Sequence, residues 1–143
     1  MSTSFLNKSL AELDVGKYGV ISSDGSSLMA RINYLQRKKL IDFSVEDLRL
    51  MIGQRQGLDY LIPLALEKLR NNPFEEGDYY EGDLLVNVLK SPCLFWKDHP
   101  EHINIVQEVI ETAIIEIDAI DIIEKVKKLI LESIESYKRC IAE

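Results

Sequence analysis

The side chains that could bind a metal or take part in catalysis are few and widely spaced along this 143-residue chain. Its only histidines, His99 and His102, lie three positions apart, and its only cysteines are Cys93 and Cys140. A zinc site needs three or four protein ligands, and no second cluster at metal-ligand spacing completes the histidine pair. We therefore expect neither a metal nor another cofactor, and we assign the histidines to capping and surface positions.

Three other patterns each lack a residue that their chemistry requires. Val15-Gly16-Lys17 is similar to the end of a phosphate-binding loop, but the upstream glycine and the following Ser or Thr are missing. The acids between positions 75 and 83 do not follow the ligand positions of an EF-hand. A nucleophilic Cys or Ser needs a nearby His and an orienting acid, and no such set stands out. The sequence predicts no catalytic residues and no enzymatic activity.

The location of the protein is predicted from features that the sequence lacks. Two cysteines so far apart do not indicate a disulfide framework, so we expect reduced thiols in the cytoplasm. The first residues lack the basic and apolar regions of a signal peptide. No run of about 18 apolar residues free of charge predicts a membrane-spanning helix.

The net charge of -7 is concentrated in the middle of the chain. Residues 71–124 contain 13 acids and two bases, for a net charge of -11, whereas residues 1–70 and 125–143 each sum to +2. A negative field of this kind repels nucleic acid phosphates and attracts basic proteins. We therefore expect a basic protein partner and no direct binding of DNA, RNA or membrane.

Hydrophobic periodicity predicts an all-α fold. Apolar residues recur at three- and four-residue spacing, and the alternation typical of strands is nearly absent. We expect a compact single-domain bundle of about six to seven helices over residues 1–143, with a polar connection over residues 16–27. The stretch from 101 to 143 has neither Gly nor Pro, and its length predicts two helices that break near residues 118–121.

Capping residues and apolar stripes place the individual helices. Ser9 with Glu12, and Ser44 with Asp47, have the spacing of an N-terminal cap, and we expect Asp83 to cap the fifth helix. The buried stripes expected for the second to fifth helices are Leu28, Ile32 and Leu35; Leu48, Met51 and Ile52; Leu58, Leu61, Ile62, Ala65, Leu66 and Leu69; and Leu84, Leu85, Val88 and Leu89. Those expected for the two closing helices are Ile103, Val106, Ile110, Ala113, Ile114 and Ile117, and then Ile123, Val126, Ile130, Ile134 and Tyr137.

One basic cluster allows an alternative function. Its members are Arg31, Arg37, Lys38 and Lys39, and a helix-Gly-helix pattern follows them, so a helix-turn-helix DNA-binding protein is conceivable. The start of the would-be recognition helix, however, contains Leu58, Leu61 and Ile62, which are expected core residues. The acidic net charge also disfavours this interpretation.

Residues 42–101 resemble a known family. The stretches DFSVEDLRLMIGQ (42–54), GLDYLIPLALEKL (57–69) and EGDYYEGDLL (76–85), followed by Phe95-Trp96 and His99-Pro100-Glu101, resemble immunity proteins of bacterial contact-dependent growth inhibition (CDI) systems. The resemblance is looser at both ends: the family usually has Trp-Gly where this chain has Tyr18-Gly19, and the Ile-rich region 101–143 differs.

The resemblance implies a protein that binds and neutralises one toxin domain without catalysis. That domain lies at the C-terminus of a large surface protein delivered by neighbouring cells. Many toxins of these systems are nucleases, which must be basic to hold phosphate backbones, so an acidic inhibitor suits them. A general helical adaptor or regulatory module without a toxin partner is the alternative that does not depend on the resemblance.

Specific immunity requires that the toxin be recognised outside the shared motif. We therefore expect Tyr79, Tyr80 and Glu81 to form a structural loop, with the tyrosine rings packed. The outer face of the helix that starts near residue 101 is the first candidate for the partner-binding surface, and it contains Asn104, Glu108, Glu111, Ile115 and Asp118. The acidic loop is the second candidate, with Glu75, Glu76, Asp78, Glu81 and Asp83.

Overall fold

The computed structural model describes residues 4–18 and 27–143 of the chain, and within these ranges it is all-α. Within these ranges, three 3-10 segments (Ser4–Asn7, Leu40–Asp42 and Pro100–His102) accompany eight α-helices. The helices are α1 (Leu10–Leu13), α2 (Ser27–Gln36), α3 (Val45–Gly53), α4 (Leu58–Asn71), α5 (Asp83–Leu89), α6 (Cys93–Asp98), α7 (Ile103–Glu116) and α8 (Glu124–Ala142). In the described ranges no helix has both the length and the apolar character needed to cross a membrane.

The fold class and the break between the two closing helices are confirmed. The described part of the chain has more helices than expected, because α6 begins directly after Pro92 in a segment where no helix was predicted. Most of the polar connection predicted over residues 16–27, namely residues 19–26, lies outside the described residues.

Two helices begin with the reciprocal caps that the sequence predicts. The backbone N–H of Glu12 donates to Oγ of Ser9 (3.2 Å), and the N–H of Ser9 donates to Glu12 (3.1 Å). Ser44 and Asp47 make the same pair of bonds at 3.1 and 3.0 Å. Each pair satisfies backbone donors that a helix N-terminus would otherwise leave free.

One apolar cluster contains buried residues from all eight helices. Helix α3 packs against both α4 and α5, α7 packs on α4, and α8 packs on α5 and α6. In the last of these contacts the fully buried rings of Trp96 and Tyr137 meet edge to face, with their centroids 5.4 Å apart. This contact explains why Trp96 belongs to the core.

The expected stripes are wrong at the edges of three helices. Leu28, Ile114 and Ile123 were expected to be buried, but 41%, 43% and 67% of their surfaces are exposed. Val109 is buried in α7 instead of Ile114. Apolar residues can extend further around a helix than the side that packs on neighbouring helices. Those at the edge of the buried stripe then stay exposed.

The expectation of two separate thiols is also wrong. Cys93, at the first position of α6, is paired with Cys140, in the last turn of α8, as a disulfide with a Cα–Cα distance of 5.7 Å. This distance lies within the range that a disulfide spans. The two residues are 47 positions apart, and only the packing of α6 on α8 brings them together.

The core assignment can be tested with a matched pair of leucines. Leu66 is 2% exposed in α4 and Leu94 is 67% exposed in α6. We expect Leu66→Ala to lower the free energy of unfolding by about 2 to 5 kcal/mol, because it leaves a cavity. Leu94→Ala should change it by less than about 0.5 kcal/mol. Urea denaturation of both variants is the measurement, and equal midpoints would show that the core is wrongly assigned.

Candidate protein-binding surfaces

Helix α7 turns the predicted partner-binding face towards solvent. Its buried side includes Val106, Val109, Ile110 and Ala113, and α4 is the helix on which it packs. The residues predicted for the other side are all exposed: Asn104, Glu108, Glu111 and Ile115 of α7, and Asp118, which follows the end of the helix. Because Ile114 is exposed next to Ile115, which is 79% exposed, the apolar spot on this face has two isoleucines instead of one.

Two acids of this face form ion pairs with basic residues of the same chain, and among the described residues a third does not. Nε of Arg70 lies 3.1 Å from Oε2 of Glu108, and Lys127 pairs with Asp118. In the part of the chain that the structure describes, Glu111 has no such ion pair. Exposed ion pairs are worth little, so a partner can replace these cations, but the negative field is weaker than the sequence alone suggests.

The acidic loop between α4 and α5 is folded around the carboxylate of Asp83. Oδ1 of Asp83 accepts a hydrogen bond from the backbone N–H of Gly77 (2.6 Å), and Oδ2 accepts bonds from those of Tyr79 (3.0 Å) and Tyr80 (3.4 Å). Asp83 is 2% exposed, so it does not present a charge to a partner. The position that caps α5 is held by Gly82, which corrects the expectation that Asp83 is the cap.

The other four acids of the loop have more access to solvent. Glu76, Asp78 and Glu81 are exposed, and Glu75 is half-buried. Glu76 and Glu81 also form an isolated antiparallel bridge that closes the base of the loop. The second candidate surface therefore offers Glu75, Glu76, Asp78 and Glu81 without Asp83.

Arg49 of α3 contacts the two carboxylates that hold this loop. Its Nε and Nη2 each donate to the carboxylate of Glu46 at 2.6 Å, and its Nε lies 4.0 Å from Oδ2 of Asp83. The backbone N–H of Asp78 also donates to Glu46, at 2.8 Å. The hydrogen bonds from Arg49 hold the pKa of Glu46 below its usual range, so Glu46 is charged in the folded protein at neutral pH.

The position of Tyr79 corrects the expectation that its ring packs inside a structural loop. The ring is 70% exposed, and the guanidinium of Arg49 lies 4.3 Å from its centroid. Tyr80 is half-buried, as a structural loop residue should be. Sequence reasoning missed Arg49 as the support of this ring. The three-residue spacing of Glu46 and Arg49 on one helix face predicts their ion pair, but no local signal places Arg49 under the ring of Tyr79.

The two histidines take part in an aromatic stack. His99 lies on the ring of Phe95 with centroids 4.3 Å apart, and the rings of His99 and His102 are 5.8 Å apart. Nε2 of His99 is 3.3 Å from Oδ1 of Asp59. Burial lowers the pKa of His102. Among the described residues there is no group of three Cys, His, Asp or Glu side chains that could hold a metal ion.

The basic cluster, which begins in α2 with Arg31 and continues after its end, is partly neutralised within the fold. Arg31 and Lys38 reach the two carboxylate oxygens of Asp47 at 3.0 and 2.7 Å. Leu61 and Ile62, at the start of the would-be recognition helix, are 0% exposed. They cannot contact the edges of DNA bases, so this geometry gives no support to the helix-turn-helix alternative.

The Glu46–Arg49 pair predicts a pH-dependent part of the stability. Because the folded-state pKa of Glu46 is depressed, its contribution is present above the unfolded pKa of about 4.3 and is lost as the pH falls through the lower folded value. Glu46→Gln should lower the urea midpoint at neutral pH and flatten its acid dependence. The exposed Glu76→Gln is the control. An acid dependence in Glu46→Gln equal to that of the parent protein would contradict this assignment.

Comparison with known proteins bears on what these surfaces do. Comparison with curated proteins and with solved structures finds no match. A protein-family model described as CDI immunity proteins matches residues 12–106, which is more than half of the chain and includes α3 to α6 and the acidic loop. The chain therefore belongs to the family of CDI immunity proteins.

Proposed function

We propose that this protein binds the toxin domain encoded with it in a stable one-to-one complex, and that it thereby protects the cell that produces both. The observation that carries the proposal is the family match over residues 12–106, since CDI immunity proteins neutralise toxins. Protection by binding needs no catalytic residues, which fits a site made of exposed acids and isoleucines.

The distribution of charge supports a basic toxin. The net charge of residues 71–124 is -11, and the exposed acids of α7 and of the acidic loop both belong to this segment. Complementary charge raises the association rate and disfavours wrong partners. A nuclease, which must itself be basic to hold nucleic acid, is the toxin class that fits best.

The α7 face is the surface that we propose for the first contact with the toxin. Ile115 stands out from the helix, and Ile114 widens the apolar spot. A desolvated apolar residue within a ring of charges is a common arrangement for an interface anchor. In the complex, Glu108, Glu111 and Asp118 face lysines or arginines of the toxin, which displace Arg70 and Lys127 from their carboxylates.

We place this binding in the cytoplasm, where a toxin delivered from a neighbouring cell has to be met. Disulfides are rare in that compartment, so the proposal predicts a fold that does not depend on the bond between Cys93 and Cys140. The burial of Trp96 against Tyr137 already holds α6 on α8.

The function is tested by co-purification with the toxin domain encoded by the adjacent gene. We expect a one-to-one complex in size-exclusion chromatography with light scattering, and growth protection against that toxin but not against toxins of other systems. If the two proteins form no complex at micromolar concentrations, the protein is a helical adaptor of another kind and the proposal is wrong.

The α7 face is tested by reversing two of its charges. We expect the double variant Glu108→Lys and Glu111→Lys to weaken toxin binding by at least about 2 kcal/mol and to remove most of its salt dependence, because it places like charges at the interface. Titration calorimetry at two salt concentrations measures both effects. The melting temperature should change little, since both residues are exposed.

A matched control makes the same change of charge elsewhere. Glu132 and Glu135 are exposed on the outer side of α8, so the double variant Glu132→Lys and Glu135→Lys alters the net charge equally. It should keep nearly the full affinity. Equal losses in both double variants would show that only the net charge matters, and no loss in either would remove α7 from the interface.

A further inference from the structure

Two side chains that the sequence predicts to be covered are exposed in the same groove. Leu28, in the first turn of α2, and Tyr79, in the acidic loop, both line a groove of about 360 Å³. We name it the Leu28–Tyr79 groove. Its lining also includes Arg31, Arg49, Leu50 and Asp78. Exposed apolar side chains that share a concave surface are typical of an interaction site.

The ring of Tyr79 is held in place although it is exposed. Arg49 lies under the ring at 4.3 Å, and Glu46 holds the guanidinium through two hydrogen bonds of 2.6 Å. The backbone N–H of Tyr79 is bound to the buried Asp83 at 3.0 Å. A side chain that is ordered before binding loses little entropy in a complex, and tyrosine is one of the residues that most often anchor interfaces.

The charges around the groove indicate what kind of partner fits it. Asp78 lines the groove and is exposed, as are Glu76 and Glu81 of the same loop. On the α2 side, Arg31 is half-exposed but is paired with Asp47 at 3.0 Å. The acidic side of the groove is therefore less neutralised than the α2 side. It favours a partner in which a lysine or arginine lies beside an apolar side chain.

We propose that the Leu28–Tyr79 groove is a contact surface for the toxin domain, which inserts an apolar side chain between Leu28 and Tyr79 and places a basic side chain against Asp78. This inference rests on the proposed function and specifies a second surface for it. The groove is lined by α2, α3 and the acidic loop and shares no residue with the exposed face of α7, so different variants test the two surfaces.

The test measures the affinity of full-length variants for the co-encoded toxin domain by titration calorimetry. Tyr79→Ala removes the ring and should weaken binding at least about 30-fold, as expected for an interface anchor. Tyr79→Phe keeps the ring over Arg49 and should stay within about threefold of the parent protein. Leu28→Asp puts a charge into the groove and should also weaken binding at least about 30-fold. The new aspartate lies in the first turn of α2, where a negative charge is favourable to the helix dipole, so the helix should tolerate the change.

The control is Leu94→Asp, which makes the same change at an exposed leucine of α6 outside the groove, and its affinity should equal that of the parent protein. If the parent binds the toxin and both Tyr79→Ala and Leu28→Asp bind as tightly, this inference is wrong and the proposed function stands. If the parent does not bind the toxin, both fail. If the parent self-associates and Leu28→Asp abolishes only that, the occupant is a second copy of the chain, which also overturns the inference.

Discussion

The buried carboxylate of Asp83 is the interaction on which the centre of this structure depends. It accepts hydrogen bonds from the backbone N–H groups of Gly77, Tyr79 and Tyr80 and lies beside Arg49. One side chain at the start of α5 thus holds the acidic loop against α3. A charge that is 2% exposed is costly to bury unless it is paired and hydrogen-bonded, and this one is both. Gly77 lies close against Glu46 at this point, because a Cβ there would be 2.6 Å from Oε1 of Glu46.

This network connects the stability of the fold with the properties of its surface. Arg49 neutralises Glu46 and Asp83 inside the protein and at the same time supports the exposed ring of Tyr79. Arg49 therefore stabilises buried acids and also positions a side chain at the surface. Within one loop, Asp83 is buried and Tyr79 leaves its ring exposed.

The charge of the middle segment shows how tertiary structure changes an electrostatic prediction. The net charge of -11 over residues 71–124 treats every acid as equal. In the fold, Asp83 is buried, while Glu108 and Asp118 meet Arg70 and Lys127, which lie just outside that segment. On the two candidate surfaces the negative charge is therefore uneven: Glu111, Glu76, Asp78 and Glu81 are exposed and form no ion pair among the described residues.

The sequence by itself determined the helical class, the caps at Ser9 and Ser44, and the break between α7 and α8, because these depend on residues within a few positions of one another. It also determined the family, through the order and spacing of motifs over residues 42–101. Tertiary structure alone decided which apolar residues stay exposed at helix edges, since burial at Leu28 and Ile114 depends on which helices pack nearby. It likewise decided the pairing of Cys93 with Cys140 and the support of Tyr79 by Arg49, because each joins positions that are 30 or more residues apart in the chain. Local spacing cannot encode such contacts, and they arise only when the helices pack.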